Sequence, residues 1–362
     1  MRAAVCRAFG SPLEIEELVL EPPREGEVDV RLVASAICHS DIALLDGAWG
    51  GDLPAVYGHE AAGVVNAVGP GVTGITPGAR VVVSLLRSCG ACFFCRRAES
   101  HLCEHEFPAD RASPLRTTHG EAVSHGLHTA AFAESVVVDT SQLAEVPSSL
   151  SFDVAALLGC GVVTGFGAVV DRAGAPEGSS VLVVGTGGVG LNSVQGAAYT
   201  GAAPIIGADT SSAKRDWALR FGATHVVDPR SDDLSEAVRS VTDGRGVDYA
   251  FVTVGSAGVI EATLRCVRRG GTLVVVGMPP SGETFRVEAV DLAHNDVRIF
   301  GSKMGSARLA DAVPRLVALY ERGELLLDEL ITGRYPLERI NEAIAAARGG
   351  EAIRNIVVLG SE

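Results

Sequence analysis

Residues 180–190, SVLVVGTGGVG, give the clearest indication of fold in this chain. The apolar run at 181–184 is typical of parallel strands that are buried on both faces. The six residues that follow, 185–190, match the pattern G-x-G-x-x-G, in which glycines make a tight turn and a helix begins. The stretch therefore predicts a strand, a glycine-rich turn and a helix in direct succession.

The same alternation continues beyond this stretch. Apolar runs rich in Val and Ile are followed by segments with helical patterning, which is typical of a doubly wound α/β domain with a parallel sheet, a Rossmann-type fold. Its further strands are predicted at 203–208, 224–227, 247–254 and 272–276, and its helices at about 187–200, 212–221 and 259–269.

An acidic residue follows the second predicted strand. Asp209 stands where dinucleotide-binding domains place the carboxylate that accepts hydrogen bonds from the adenosine ribose. A carboxylate there repels a 2′-phosphate, which favours NAD over NADP. A structural turn in an unrelated α/β fold is the alternative, but the strand, turn, helix and acid together favour a dinucleotide site.

The residues before and after this domain have a different texture. The first ~150 residues read as short β runs divided by Gly and Pro, which indicates a barrel-like β domain. The last ~60 residues predict two helices and a closing strand at 355–359 that returns to this first domain. We therefore expect a β-rich domain at 1–161 and 300–362 and a nucleotide-binding domain at 162–299.

Four cysteines crowd into fifteen residues, with the spacing C-x2-C-x2-C-x7-C. Four thiolates at such spacing can surround a Zn²⁺ ion and leave no position for water, which makes the site structural. Gaps of two residues and a reducing compartment disfavour disulfides. The acidic charge and the lack of paired His ligands disfavour a DNA-binding finger. These ligands are Cys89, Cys92, Cys95 and Cys103.

A second group of potential ligands is scattered along the chain. Cys38, His59 and Cys160 would together supply the three protein ligands of a catalytic zinc ion with one open position. On spacing alone, a lone Cys or His of this kind is more often a buried core residue than a metal ligand, and that is how we interpret Cys6 and Cys266.

Composition excludes several functions. The 362 residues are 47% hydrophobic and carry a net charge of −14 without a basic block, which disfavours nucleic acid and anionic membranes as partners. No apolar run reaches the roughly 18 residues of a membrane helix. The chain starts without a signal-peptide pattern, so we expect a cytoplasmic protein.

Together these motifs resemble the zinc-dependent medium-chain alcohol dehydrogenases. The resemblance covers nearly the whole chain and rests on GHEAAG at 58–63 with Gly69, the four-cysteine lobe, GCG at 159–161 and the nucleotide turn. Within the family it is nearest to class III enzymes and related bacterial alcohol dehydrogenases. The resemblance implies a GroES-like catalytic domain joined to the Rossmann domain, with two zinc ions and NAD per chain.

The resemblance also implies which residues bind the catalytic metal. Cys38, His59 and Cys160 would hold the zinc, and Glu60 would be an occasional replacement for water. The metal would act as a Lewis acid on the substrate oxygen while a hydride passes to the nicotinamide.

Proton handling follows from the neighbouring positions. Asp41 would hydrogen-bond His59 and set its tautomer, and Ser40 would take the proton of the alcohol. Many members carry a histidine five residues after the first cysteine ligand, whereas this chain has Ala43. The proton would therefore leave Ser40 by another path.

Coenzyme and substrate contacts are carried over in the same way. The coenzyme would be bound by His39, Thr164, Gly185, Thr186, Gly187, Gly188, Val189, Gly190, Asp209, Lys214, Val276 and Arg354. An apolar substrate pocket would be lined by Trp49, Leu85, Phe107 and Met278. The segment 104–128, rich in His and Arg, reads as a solvated loop with a functional patch as the alternative.

Several activities remain open at this point. The leading one is NAD-dependent interconversion of a primary or secondary alcohol with its aldehyde or ketone. Oxidation of S-(hydroxymethyl)glutathione is disfavoured by Phe107 and by the sequence AWGG at 48–51. A nicotinoprotein with permanently bound NAD is a further alternative, and a zinc-binding protein without activity is last. The family predicts a homodimer, or a tetramer, paired through a strand near 272–276.

Overall fold

The computed structural model describes residues 1–350 and 352–360. It divides into two compact units, one formed by Met1–Cys160 and Arg308–Glu362 and the other by Gly161–Ala307. The first unit is therefore discontinuous in sequence. Within the described part of the chain, no helix is both long and apolar enough to cross a bilayer.

Strands and helices both occur throughout the chain. In chain order the strands are β1 Arg2–Cys6, β2 Glu14–Leu20, β3 Glu27–Ala36, β4 Ala55–Val56, β5 Glu60–Val68, β6 Arg80–Ser84, β7 Leu115–Thr117, β8 Ala122–His125, β9 Ser135–Asp139, β10 Leu143–Glu145, β11 Val181–Val184, β12 Ile205–Ala208, β13 His225–Val227, β14 Val247–Val252, β15 Val267–Val275, β16 Arg298–Gly301, β17 Ile331–Pro336 and β18 Arg354–Val358.

The α-helices are short in the first half of the chain and longer after it. They are α1 His39–Leu45, α2 Pro108–Arg111, α3 Phe152–Leu157, α4 Gly161–Gly167, α5 Gly188–Tyr199, α6 Ser212–Arg220, α7 Leu234–Ser240, α8 Ala257–Leu264, α9 Ala289–Asn295, α10 Leu309–Glu321 and α11 Ile340–Arg348.

The first unit is built around a barrel and a sheet. Strands β1, β2, β7, β8 and β4 close the barrel, and β10, β6, β5, β3, β18 and β17 follow one another in the sheet, with β9 paired to β3. One apolar core that includes Val5, Val30, Val83 and Phe132 runs through both. Strand β18 pairs antiparallel with β3, so the end of the chain completes the sheet on which the start is built.

The second unit is a six-stranded parallel sheet in the order β13-β12-β11-β14-β15-β16. This is the strand order of doubly wound dinucleotide-binding domains. All four residues of β11 are buried, as the uninterrupted apolar run predicted. The Rossmann-type fold is confirmed.

Some boundaries differ from the sequence expectation. Strand β15 begins at Val267, so α8 ends at Leu264 instead of continuing to 269. The apolar pattern runs from helix into strand there, which hides the boundary. Residues 300–307 fall in the second unit because β16 pairs with β15, whereas the sequence assigned them to the β-rich domain. Residues 351, 361 and 362 of that predicted range lie outside the described residues.

Residues 272–276, the strand expected to pair two subunits, are not at an edge of the sheet. Residues 272–275 pair with β14 on one side and β16 on the other, so they are internal to the sheet. An internal strand has no free edge for a second chain, and the expectation for 272–276 is wrong. The described edges of this sheet are β13 and β16.

Candidate zinc and coenzyme sites

Three metal-ligating side chains converge inside the first unit. Cys38 lies immediately before α1, His59 immediately before β5, and Cys160 three residues after α3. Their ligand atoms lie within 4.8 Å of one another and all three residues are buried. His59 Nε2 is 3.3 Å from Cys160 Sγ. Residues 101 positions apart are thus brought to one point.

Asp41 holds the histidine in place. Its Oδ1 accepts a hydrogen bond from His59 Nδ1 at 2.9 Å and another from the backbone N–H of Gly58 at 3.0 Å. Its Oδ2 accepts from the backbone N–H of Cys38 at 3.0 Å. An ionised carboxylate only accepts, so Nδ1 carries the proton and the lone pair of Nε2 faces the two sulfurs.

Two glycines let the backbone approach this cluster closely. Gly58 has φ +93°, and a Cβ there would lie 2.7 Å from the backbone nitrogen of Phe132. The Thr129 hydroxyl donates to the Gly58 carbonyl at 2.9 Å, which fixes the turn before His59. A Cβ on Gly159 would lie 2.6 Å from the Val83 carbonyl oxygen. The glycines that precede both ligands are therefore steric requirements.

The charge around the cluster favours a thiolate. A hydrogen bond from the Cys160 thiol and the nearby positive charge of Arg354 hold the pKa of Cys38 well below its usual value. The same hydrogen bond raises the pKa of Cys160. Arg354 is buried, and its Nη1 donates to the Ile37 carbonyl at 3.3 Å and lies 3.7 Å from Glu60 Oε2.

This donor set fits zinc. Two thiolates and an imidazole suit Zn²⁺, and three protein ligands leave one tetrahedral position for water or substrate. Glu60 is buried beside Arg354, and its role as an occasional ligand stays a prediction.

The four-cysteine lobe forms a second cluster. The sulfurs of Cys89, Cys92, Cys95 and Cys103 lie within 4.8 Å of one another. Backbone N–H groups point at these sulfurs: that of Cys92 is 3.3 Å from Cys89 Sγ, and that of Cys95 is 3.5 Å from Cys92 Sγ. Such N–H donors stabilise thiolates, and they lower the pKa of Cys92 to about 6. The group found among the described residues consists of these four sulfurs, a donor set that fits a structural zinc ion.

The glycine turn of the second unit fulfils the roles that its pattern predicts. Gly185 has φ +88°, and a Cβ on Gly190 would lie 1.8 Å from the Gly185 carbonyl oxygen. A Cβ on Gly187, directly before α5, would meet no atom of the other described residues within 4 Å. The turn is thus tight, the helix packs close to the strand, and the start of α5 is open to a pyrophosphate.

Asp209 lies at the carboxyl end of β12, beside this turn. Its Oδ2 accepts from the backbone N–H of Thr186 at 2.8 Å and its Oδ1 from that of Ser211 at 2.9 Å. The Thr186 hydroxyl donates to the Lys214 carbonyl at 3.1 Å. The carboxylate is thereby held at the sheet edge where α/β domains bind ligands, which fits an adenosine ribose.

The structure gives the positions of the other residues predicted to bind the coenzyme or transfer the proton, and their roles stay predictions. Ser40 and the exposed His39 are in the first turn of α1. The N–H of Val276 donates to the Val252 carbonyl at 2.9 Å, so a carboxamide contact there would have to use the Val276 carbonyl. Gly188, Val189 and Lys214 lie on α5 and α6, Thr164 on α4 and Arg354 on β18.

The four predicted substrate residues differ in exposure and in the side chains that surround them. Phe107 is 5% exposed, with the Arg87 guanidinium 4.5 Å from its ring centroid and the His105 ring 5.0 Å away. Leu85 is half-buried, as is Trp49. Met278, in the other unit, is 63% exposed.

Two charged residues near the predicted sites, Arg87 and Asp228, were not predicted from the sequence. Arg87 donates to Asp110 at 2.8 Å, so the segment 104–128 is tied to the strand end that carries Leu85. Asp228 binds two arginines at the sheet edge of Asp209. A signal for Asp228 existed, since it directly follows a predicted parallel strand.

Comparison with known proteins agrees with this geometry. The family described as alcohol dehydrogenase GroES-like domain matches residues 24–148, and the one described as zinc-binding dehydrogenase matches 188–321. The chain is 36% identical to an NDMA-dependent alcohol dehydrogenase of Amycolatopsis methanolica, over 99% of this chain and 98% of that protein. It is also 36% identical to a class-3 alcohol dehydrogenase of Cereibacter sphaeroides, over 99% of each.

A solved structure shows the same architecture over its full length. Benzyl alcohol dehydrogenase from Acinetobacter calcoaceticus matches with a TM-score of 0.92 and 30% identity, over 99% of both chains. With both zinc clusters and the nucleotide turn in place, this chain belongs to the zinc-dependent medium-chain alcohol dehydrogenase family.

Proposed function

We propose that this protein is a zinc- and NAD-dependent alcohol dehydrogenase. It interconverts a primary or secondary alcohol with the aldehyde or ketone. The observation that carries the proposal is the convergence of Cys38, His59 and Cys160, with Asp41 behind the histidine, in a chain that also has the nucleotide turn. A zinc-binding protein without activity would not need an open ligand position, so this alternative explains the site less well.

The protein's own residues orient the reaction. When bound, zinc supplies a Lewis acid and NAD a hydride acceptor. Asp41 keeps the proton on His59 Nδ1, so that Nε2 stays a ligand through every turnover. Asp209 anchors the coenzyme at the ribose, and the backbone of the 185–190 turn supports the pyrophosphate.

Ser40 takes the hydroxyl proton of the substrate in this proposal. Its place in the first turn of α1, two residues after Cys38, puts it next to the metal cluster in sequence. Ala43 offers no group for a relay, so the proton would have to leave Ser40 by another path.

The substrate is proposed to be an apolar, preferably aromatic, alcohol. Leu85 and Trp49 supply apolar surface, and a structurally similar relative is named for benzyl alcohol. The Arg87–Asp110 pair beside Phe107 is internally neutralised, so it does not demand a charged substrate.

The two alternative enzyme activities are oxidation of S-(hydroxymethyl)glutathione, which needs glutathione, and alcohol oxidation by permanently bound NAD, which needs a separate electron acceptor. The relatives include one named NDMA-dependent and one named class-3, so both comparisons belong in the test. We also propose that the protein is cytoplasmic, because four closely spaced cysteines stay available for zinc in a reducing compartment. We further propose a homodimer paired through β16, which is an edge strand of the parallel sheet.

A coenzyme assay with a panel of alcohols tests the proposal. Purified protein is mixed with excess NAD and either benzyl alcohol, aliphatic alcohols, or formaldehyde plus glutathione, and NADH absorbance is followed. Steady NADH formation with benzyl or aliphatic alcohols supports the proposal. A signal only with the glutathione adduct, or one that stops at one NADH per chain until an artificial acceptor is added, would replace it by the corresponding alternative.

A further inference from the structure

Two acidic side chains stand next to each other at the coenzyme edge of the second unit. Asp209 follows β12, and Asp228 follows the neighbouring parallel strand β13. The backbone N–H of Asp209 donates to the Val227 carbonyl at 3.2 Å, which joins the two strand ends directly. Only Asp209 was expected from the coenzyme pattern.

Two guanidinium groups lie between these acids. Arg215 Nη1 is 2.8 Å from the Asp209 carbonyl oxygen and 3.0 Å from Asp228 Oδ2. Arg230 Nη2 is 3.2 Å from the same Oδ2 and also donates to the Thr210 carbonyl. Both arginines therefore contact backbone carbonyls at or next to Asp209, the predicted ribose-binding residue, and both form ion pairs with Asp228.

Such guanidinium groups are the usual partners of a ribose 2′-phosphate. Their planar fork matches phosphate oxygens, and NADP-binding domains use a nearby arginine for this contact. Here Asp228 already occupies them. The hydrogen bond from Arg230 and the charge of Arg215 lower the pKa of Asp228 to about 2, so it remains an anion at neutral pH.

We propose that Asp228 is a specificity-determining residue that keeps Arg215 and Arg230 from binding a 2′-phosphate. Asp209 repels the phosphate directly, whereas Asp228 withholds the groups that would attract it. Coenzyme preference in this chain thus depends on two acids. This inference rests on the proposed coenzyme role of the site and extends it to residues outside the glycine pattern.

Binding of two adenine nucleotides tests the proposal without any turnover. Protein shown by its ultraviolet spectrum to be free of nucleotide is titrated by calorimetry with adenosine 5′-monophosphate and with adenosine 2′,5′-bisphosphate. In Asp228→Asn the ratio of the two affinities is expected to shift about tenfold toward the bisphosphate, because one released arginine makes a charge-assisted contact. Asp209→Asn combined with Asp228→Asn is expected to shift it further than Asp209→Asn alone.

Two variants separate this effect from a general change of charge. Asp243→Asn removes the carboxylate of an exposed pair with Arg245, 2.8 Å apart, and is expected to leave the ratio unchanged. Arg230→Gln in the Asp228→Asn background is expected to reverse the gain, and because Arg230 has a 66% exposed side chain the fold should tolerate it.

The binding ratios separate the role of Asp228 from the assignment of the coenzyme site. An unchanged ratio in Asp228→Asn, in both backgrounds, would overturn the role of Asp228 while leaving the alcohol dehydrogenase proposal intact. A gain equal to that of Asp243→Asn would overturn it too, since charge alone would explain the shift. Failure of the wild-type protein to bind either nucleotide would overturn the coenzyme assignment itself.

Discussion

Asp41 determines which nitrogen of His59 faces the metal. In Asp41→Asn an oxygen acceptor remains for Nδ1, but the negative charge is lost and the amide can turn its NH₂ toward the ring. We expect the affinity of the catalytic site for zinc to fall by about 10- to 100-fold, as for other carboxylates that support a histidine ligand. Competition with a zinc chelator measures it.

The four-cysteine lobe serves as an internal reference for this variant, because its ligands are remote from Asp41 in sequence and share no hydrogen bond with it. Asp110→Asn is the matched control, since Asp110 is paired with Arg87. Equal zinc affinity in Asp41→Asn and wild type would mean that Asp41 does not support His59.

Functional residues could be predicted from the sequence only where metal-ligating or coenzyme-binding motifs mark them. Cys38, His59 and Cys160 were proposed from their ligand chemistry and from the family resemblance, and the structure brings them together. Asp228 was missed, although it directly follows a predicted strand, because its ion pairs depend on how neighbouring strand ends meet. Phe107 was expected as open apolar lining, whereas Arg87 covers its ring, a contact between residues 20 positions apart.

The turn from β11 to α5 offers a test at the level of an element. In Gly190→Ala the new Cβ would meet the Gly185 carbonyl oxygen at 1.8 Å, so the helix cannot stay close to the strand. We expect a lower melting temperature and weaker binding of NADH. Thermal unfolding and fluorescence titration with NADH measure the two effects.

Gly187→Ala is the companion variant, because its Cβ would contact no protein atom within 4 Å. Its melting temperature should stay near that of wild type while NADH affinity falls, since the methyl group occupies the space of the pyrophosphate. A melting temperature that falls in Gly187→Ala but not in Gly190→Ala would contradict this reading of the turn.

Elements with strong hydrophobic patterns were predicted well and their ends poorly. Strand β11 and helix α5 were found where an uninterrupted apolar run and a glycine turn stand together. The end of α8 was misjudged because Cys266 and Val267 continue an apolar pattern while the backbone changes to strand. Which strand is at the edge depends on pairing across the sheet, so the order β14-β15-β16 had to be observed.

His125 links the stability of the whole molecule to pH. Burial lowers the pKa of His125 to about 4 from its ordinary 6.5. Because the unfolded chain takes up the proton first, stability is present above pH 6.5 and is lost as the pH falls toward 4. In His125→Gln the loss of melting temperature between pH 7.5 and pH 5.5 should be smaller than in wild type, with zinc in excess throughout.

His119→Gln is the matched control, since His119 lies on an exposed turn and should keep the wild-type pH dependence. If His125→Gln and wild type lose the same melting temperature over this interval, the histidine does not carry the effect.

The discontinuous architecture could be predicted in outline because the texture of the sequence changes twice. Short β runs give way to alternating strands and helices, and a last strand returns to the first sheet as β18. The second boundary was placed a few residues too early, because the pairing of β16 with the parallel sheet is a contact between strands that no local pattern shows.

The central claim is that zinc held by Cys38, His59 and Cys160 enables hydride transfer from an alcohol to NAD. The most direct test is the amplitude of NADH absorbance after zinc-loaded protein, at high concentration, is mixed with NAD and benzyl alcohol. We expect at least one NADH per chain in wild type and in the buried-thiol control Cys6→Ser, and none in Cys160→Ser, which should still bind NADH. Equal amplitude in Cys160→Ser and wild type would contradict it.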